Sequence, residues 1–298
     1  MYMKGMFAGL SAVRQIGVLL LLVLFGSIIS SIISLGLFWL IWGFDASIYQ
    51  TPDGMRLVQF FSAVGTFLFP AIAFSYLCTD NWKSSLSISK ALGVEVSILV
   101  IISMFLLSPV INLTAMLNQS LELPEWMSEI ENWMITQEEN AKQITDILLG
   151  TKGIVPFISN IIVIALTAAV TEEMLFRGAL SDALAKFSIS HHAVIWMSAI
   201  LFSAFHLQFY GFIPRMLLGA YFGYLLLWSK NMWLPIIAHF TNNATAVIGM
   251  SCDSLKNNEY ITGEISDQHL TGYIVTGIAF LFLFYMICIR IKSSTSKD

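Results

Sequence analysis

Charge is what this chain has least of. Only 11% of its 298 residues are Asp, Glu, Lys or Arg, where soluble domains carry about 25%. It holds three cysteines, Cys78, Cys252 and Cys288, with no CxxC spacing, so neither a disulfide framework nor a thiolate metal site is expected. No HExxH zinc motif occurs. Without a basic stripe or a nucleic-acid-binding motif, nucleic acid is excluded as a partner. Ten-residue segments of alternating polarity are missing too, which excludes a transmembrane β-barrel. No internal repeat is visible. The first apolar run, Ile16–Ile41, is longer than the 7–15 residues of a signal-peptide core, so no cleavable leader is expected.

What remains is hydrophobic. Apolar residues make up 57% of the chain, gathered in long continuous runs. Only helices or closed barrels satisfy the backbone inside lipid. The fold class is therefore all-α, a polytopic transmembrane helix bundle. Windows of membrane-spanning length fall at 16–41, 57–78, 93–118, 154–176, 193–211, 212–229, 232–250 and 270–290, about eight membrane helices. Three parts follow: N-terminal helices and an acidic loop over 1–153, a polar-motif core over 154–250, and a loop, final helix and basic tail over 251–298.

Loop lysines and arginines set orientation. With the N-terminus inside, Lys4, Arg14, Lys83, Lys90, Lys186, Lys230, Arg290, Lys292 and Lys297 face the cytoplasm, and Arg56, Lys142, Lys152, Arg215 and Lys256 face out. That excess places both termini in the cytoplasm. The loop 119–153 is then external and acidic. Its Trp126, Ile130, Trp133, Met134, Ala141, Ile144 and Leu148 recur at helical spacing after Pro124, the pattern of an amphipathic helix lying on the membrane surface. A lid over a substrate route is the sharper alternative.

The 17 residues Ile154–Val170 carry no charge, and then Glu172, Glu173 and Arg177 arrive within one stretch. A charge at the centre of a membrane helix costs about 2.5–3.5 kcal/mol on insertion scales, so such residues face the bundle interior and mark function. Glu173 and Arg177 are four apart and can pair. Glu172 points about 100° away from Glu173. One acid is neutralised and the other is left free.

Two further polar positions interrupt apolar helices. His206 follows Phe202 by four residues, and His239 precedes Asn243 by four. If the fourth and fifth spans form a hairpin turning at Ser188–Ser190, positions 172 and 206 are equidistant from Ile189 and lie level. The depth of His239 agrees if the hairpin tip projects about 10 Å into the cytoplasm, which puts the site inside the bilayer on its cytoplasmic side. A carboxylate held out of water beside an imidazole can activate water. A second imidazole with an amide one turn away can hold an oxyanion. Alternatively Glu172, His206 and His239 bind one zinc ion with water in the open position. His191, His192 and His269 fall in loops or at helix ends and are assigned to solvent.

In this order and spacing, Glu172-Glu-Met-Leu-Phe-Arg177, Phe202-Ser-Ala-Phe-His206 and His239-Phe-Thr-Asn-Asn243 resemble the EExxxR, FxxxH and HxxxN motifs of the CPBP (CAAX protease and bacteriocin-processing, or ABI) intramembrane proteases. That family takes in the type II CAAX prenyl endopeptidases. The resemblance covers about Ile154–Met250 and implies an eight-helix membrane endopeptidase that cuts near the C-terminus of a membrane-associated protein or peptide. It implies Glu172 and His206 as the water-activating pair, His239 and Asn243 as the oxyanion site, and Glu173, Arg177 and Phe202 as support. Members are filed as metalloproteases, and a metal-free glutamate mechanism has also been argued for the prenyl endopeptidases. The short chain has a bacterial character, which places it in a bacterial cytoplasmic membrane with the lipid bilayer as its surroundings. The rival reading is a non-enzymatic immunity or sensor protein that binds a peptide or membrane partner in the same cavity. A proton-coupled transporter is a third, against which stands the missing repeat.

Overall fold

Each apolar run forms a helix. The computed structural model describes residues 3–43, 45–89, 91, 93–256, 258–263, 265–266 and 268–295. The chain is 82% helical, with no strand among the described residues. The main helices are α1 (Ala12–Trp42), α2 (Pro52–Cys78), α3 (Val94–Gln119), α4 (Ser128–Leu149), α5 (Ile154–Ala185), α6 (His191–Phe205), α7 (Phe212–Ser229), α8 (Trp233–Ser251) and α9 (Leu270–Thr295). All eight expected spans are present as helices, and among the described residues six are long and apolar enough to cross a membrane. α6 has only 15 residues, about 22 Å at 1.5 Å each, short of a 30 Å hydrocarbon layer. α8 is long enough, but His239, Thr241, Asn242, Asn243 and Thr245 interrupt its apolar surface.

Two boundaries differ from the sequence reading. The span expected over 193–211 stops at Phe205: His206 caps the helix, Leu207 turns left-handed at φ 55°, and a single 3-10 turn covers Phe209–Gly211. A left-handed non-glycine residue costs about 1–2 kcal/mol and is tolerated where the surroundings dictate it. The span expected over 154–176 runs on to Ala185, making 32 residues, about 48 Å. It exceeds the hydrocarbon thickness, as the projecting hairpin tip requires. Lys90 and Lys297, counted in the charge asymmetry, lie outside the described residues.

α5 is not a uniform α-helix. Residues Ile161–Thr167 and Met174–Leu180 are π-helical and flank an α-helical segment, Ala168–Glu173. Wider turns free backbone carbonyls, and hydroxyls take them up. Thr167 Oγ1 donates to the Ile162 carbonyl, while Ser181 and Ser198 both donate to that of Phe176, each at 2.8 Å. π-turns inside helices concentrate at functional sites.

Buried side chains pack in two halves. One joins α1, α2, α5 and α6 around Leu19, Phe74, Phe176 and Phe202. The other joins α3, α7, α8 and α9 around Val100, Leu107, Phe222, Leu225 and Ile291. Within the first half α1 and α2 meet at Gly26 and Gly65, where a Cβ on Gly26 would stand 2.0 Å from the Gly65 carbonyl oxygen. Only glycine permits that approach. The polar residues of α5 and α8 lie along the seam between the halves.

The expected amphipathic helix is α4. Trp126 just before it, and Ile130, Trp133 and Ile144 on it, are exposed, leaving apolar surface uncovered along the helix. Its C-terminal end is pinned by Arg56, a buried cation on α2. Arg56 donates to Leu148 O (3.1 Å) and Asn160 Oδ1 (2.8 Å) and pairs with Asp53 at 2.7 Å. Arg56→Ala should leave Asn160 Oδ1 unpaired, while Leu148 O keeps its bond from Asn160 Nδ2 at 2.8 Å, and cost about 1–3 kcal/mol. Thermal unfolding in detergent, with limited proteolysis between Leu148 and Ile154, checks both the loss of stability and the release of α4.

Candidate functional site

The α-helical segment of α5 turns its two acids in different directions. Glu173 is fully buried and paired with Arg177, Oε1 to Nη1 at 2.9 Å. The same oxygen lies 2.8 Å from His239 Nδ1 on α8. Arg177 is buried as well. Its Nη2 donates to the Gly219 carbonyl on α7 at 2.9 Å, and its guanidinium lies over the rings of Phe202 (4.4 Å) and Phe222 (5.4 Å). A Cβ at Gly219 would stand 2.9 Å from that Nη2, so α7 must present glycine there to admit the guanidinium. Four helices of both packing halves meet in this network.

Glu172 points to the other side. Its Oε2 lies 3.8 Å from His206 Nε2 and 3.9 Å from His239 Nε2. That oxygen is buried without a hydrogen-bond partner, as is Oε2 of Glu173, whose other oxygen makes its two bonds. Both rings are oriented from behind. His206 Nδ1 is 2.8 Å from the Phe202 carbonyl, which can only accept, so that nitrogen carries the proton. His239 Nδ1 likewise donates to Glu173. In the neutral tautomers both Nε2 atoms are therefore lone pairs turned toward Glu172. Phe222 stacks on His239 at 5.3 Å, and Phe202 meets both rings edge-on at 5.0 and 5.8 Å. The centre is three acceptors and no donor, walled by two aromatics. It is a place for a molecule that donates two hydrogen bonds. Side-chain exposure falls from 28% at His206 to 13% at Glu172, 6% at His239 and 0% at Glu173, so the open side is that of His206.

The zinc alternative, with Glu172, His206 and His239 as ligands, fares less well. Tetrahedral ligands at about 2.0–2.1 Å stand about 3.3 Å apart, closer than these atoms are. No group of three or more His, Cys, Asp or Glu gathers at metal-holding distance among the described residues. As the side chains stand, Glu172 is too far from either imidazole for the open, water-bearing zinc site that the sequence suggested.

Asn243 sits one turn beyond His239. Its Nδ2 donates to the Ile164 carbonyl on α5 at 3.2 Å, and its Oδ1 accepts from Asn242 at 3.2 Å. One amide proton ties α8 to α5 and the other is left for a ligand. His191, His192 and His269 are exposed and distant from the cluster in sequence. His192 bonds Tyr224, and His269 bonds Ser266 and Glu259.

These residues fall in one segment, and so does the likeness to known proteins. Residues 154–245 match the family model described as type II CAAX prenyl endopeptidase Rce1-like. This stretch, about a third of the chain, is similar to that family. The match takes in all three motifs and supports a CAAX-type intramembrane protease at the level of the family. The chain is also 26% identical over 117 residues to the uncharacterized protein YpbD of Bacillus subtilis (strain 168), covering 38% of this chain and 54% of that one. It thus spans about half the length of that curated relative. No solved structure gives a significant match.

The Rce1-like segment holds residues that the sequence reading passed over. Gly219 and Phe222 lie on a helix with no polar signal at those positions. Arg215 was counted as a loop charge, yet it stands half-buried in the first turn of α7 with its charge in electrostatic reach of Glu172 and His206.

Because Glu173 serves two buried partners and Glu172 none, the two acids should respond differently to amidation. Glu173→Gln strands the Arg177 charge and should cost about 3–5 kcal/mol. Glu172→Gln should cost less than about 1 kcal/mol, since no bond is lost. Thermal unfolding of the two purified variants decides it, and equal losses would refute the division of roles.

Proposed function

We propose that the protein is an intramembrane endopeptidase that hydrolyses a peptide bond near the C-terminus of a membrane-associated protein or peptide. The observation that carries this reading is the lone acid, Glu172, facing two imidazole lone pairs at 3.8 and 3.9 Å. A water placed there donates one hydrogen bond to Glu172 and the other to an imidazole nitrogen. Glu172 removes the first proton as the water oxygen attacks the peptide carbonyl carbon, and His206 orients the attack through the second. Such a base contributes about 10²–10⁴-fold. The negative charge then developing on the carbonyl oxygen meets the free N–H of Asn243, in surroundings where a donor counts for more than in water. Protonated Glu172 passes its proton to the departing amine as the C–N bond breaks. One water is consumed, and a new carboxylate and a new amine result.

His239 takes a narrower part than the motif alone implied. With Nδ1–H committed to Glu173, its Nε2 can hold an oxyanion only when the ring carries both protons. Glu173 and Arg177 brace the site and do not touch the reacting atoms. No step runs through a metal ion. With both termini cytoplasmic, as the charge asymmetry has it, the open side near His206 and the helix α4 face the same, external, end of the bundle. By the depth count the site lies toward the cytoplasmic side of the bilayer, but its open side faces away from the cytoplasm. The substrate therefore enters from the external end or laterally from lipid.

Glu172→Gln should abolish cleavage, by at least about 100-fold, in protein that still melts as the wild type does. The measurement compares membrane-protein C-termini between a wild-type strain and one carrying the variant, and repeats the strongest substrate with purified protein. Undiminished turnover would sink the mechanism. A variant that cleaves nothing but still confers the strain's phenotype would favour the binding-only, immunity or sensor reading.

A further inference from the structure

Arg215 has a charge with no counter-ion in contact. Its Nη1 donates to the Gln208 carbonyl at 3.2 Å and its Nη2 to Gln208 Oε1 at 3.0 Å. No carboxylate comes within 4.0 Å of it, and its other N–H groups have no protein acceptor, among the described residues. Gln208 therefore holds the guanidinium in place and leaves donors free. Two acids lie within electrostatic reach, Glu172 and Glu138. Glu138, on α4, has Oε2 buried and without a hydrogen-bond partner. α4 is held over this region by Trp133, whose ring meets Phe209 at 5.4 Å. The turn beneath is clamped from α3, where Asn118 donates to the Phe209 carbonyl at 2.8 Å and accepts from Ile213 N at 2.7 Å. The result is a positioned cation between the catalytic acid and an unsatisfied acid of the covering helix.

We propose that Arg215 is the specificity-determining residue of the site, binding a carboxylate of the substrate, either its C-terminus or an acidic side chain. A guanidinium presents a planar fork of donors that matches a carboxylate, and the paired charge-assisted bonds are the strongest of their kind. Buried ionisable residues in membrane proteins are kept for such partners. Because Arg215 acts on the Glu172 side of the cavity, a bound carboxylate fixes which peptide bond reaches the acid. Glu138 is the resident acid that an incoming carboxylate displaces from the field of Arg215. The place of Arg215 in catalysis rests on the hydrolytic reading; its binding of a carboxylate does not.

The test uses the full chain in nanodiscs, in the cleavage-deficient Glu172→Gln background. The probes are pooled N-palmitoylated peptides in three matched sets: free C-terminal acids, the same peptides as C-terminal amides, and the acids with every internal Asp and Glu replaced by Asn and Gln. Retention is measured by mass spectrometry. The Arg215 protein should hold acids over amides, or acidic peptides over their neutral counterparts, by about 10–100-fold. Whichever set shows the difference identifies the carboxylate. Arg215→Gln should bring the ratio to about one, and Arg215→Lys should restore part of it. Glu138→Gln, which leaves Arg215 in place, should raise retention of acids several-fold. Absence of any acid preference, or a preference unchanged in Arg215→Gln, would overturn the proposal, and so would a fall in retention with Glu138→Gln. The same pools given to the Glu172 protein report turnover separately. Retention that depends on Arg215 with no cleavage of any pool would leave the carboxylate site standing and remove the hydrolytic reading.

Discussion

The structure depends on one buried charge arrangement, Glu173 held between Arg177 and His239. Separating charges in a medium of low dielectric is costly, and leaving one unpaired is costlier still. The pair therefore dictates what surrounds it. Arg177 needs the Gly219 carbonyl and the faces of Phe202 and Phe222, and His239 needs to present Nδ1 to Glu173. Meeting those demands draws α5, α6, α7 and α8 to a common point on the seam between two packed halves that otherwise share mainly apolar contacts.

The consequence for chemistry is a division between neighbouring acids. Glu173 is consumed by structure, and Glu172, one residue earlier, inherits a cavity whose other polar atoms are acceptors. Both imidazoles have their tautomers set from behind, one by a backbone carbonyl and one by a carboxylate. The same device serves enzymes that hold a histidine by a partner on its far nitrogen. A water activated by Glu172 is the chemistry such a centre favours. The separations of 3.8 and 3.9 Å are too wide for direct bonding. The π-turns flanking the acids belong to the same design, because they change which way α5 faces on either side of Glu172.

One helix outside the matched segment approaches the open side of the site. α4 is anchored at one end by the buried Arg56 and rests at the other against the 209–211 turn, while apolar side chains along it stay exposed. Its Trp133 meets Phe209 at 5.4 Å, and it brings the charge of Glu138 within reach of Arg215. The family match ends before this helix begins, counted from the C-terminal side.

Much of this was legible in the residues. Long uncharged runs can only be helices in lipid, so the all-α fold class and eight helices near the expected places followed from composition and length. Only six of them are long and apolar enough to cross a membrane among the described residues. The i,i+4 spacing paired Glu173 with Arg177, and counting from Ile189 set Glu172 level with His206. What could not be read were features that depend on a partner distant in the chain. The bond from His239 to Glu173, 66 residues away, decided that His239 presents an acceptor. The early end of α6 came from the turn at Leu207, and the looseness of the would-be zinc ligands came from helix separations. Arg215 looked like a loop charge because its burial is conferred by α4 and the 206–211 turn. By itself the sequence determined which groups are too costly to leave unpaired in a membrane; the tertiary structure alone decided which of them satisfy one another and which one stays free to react, because hydrogen-bond partners are chosen by distance and direction between helices, and neither is written along a single helix.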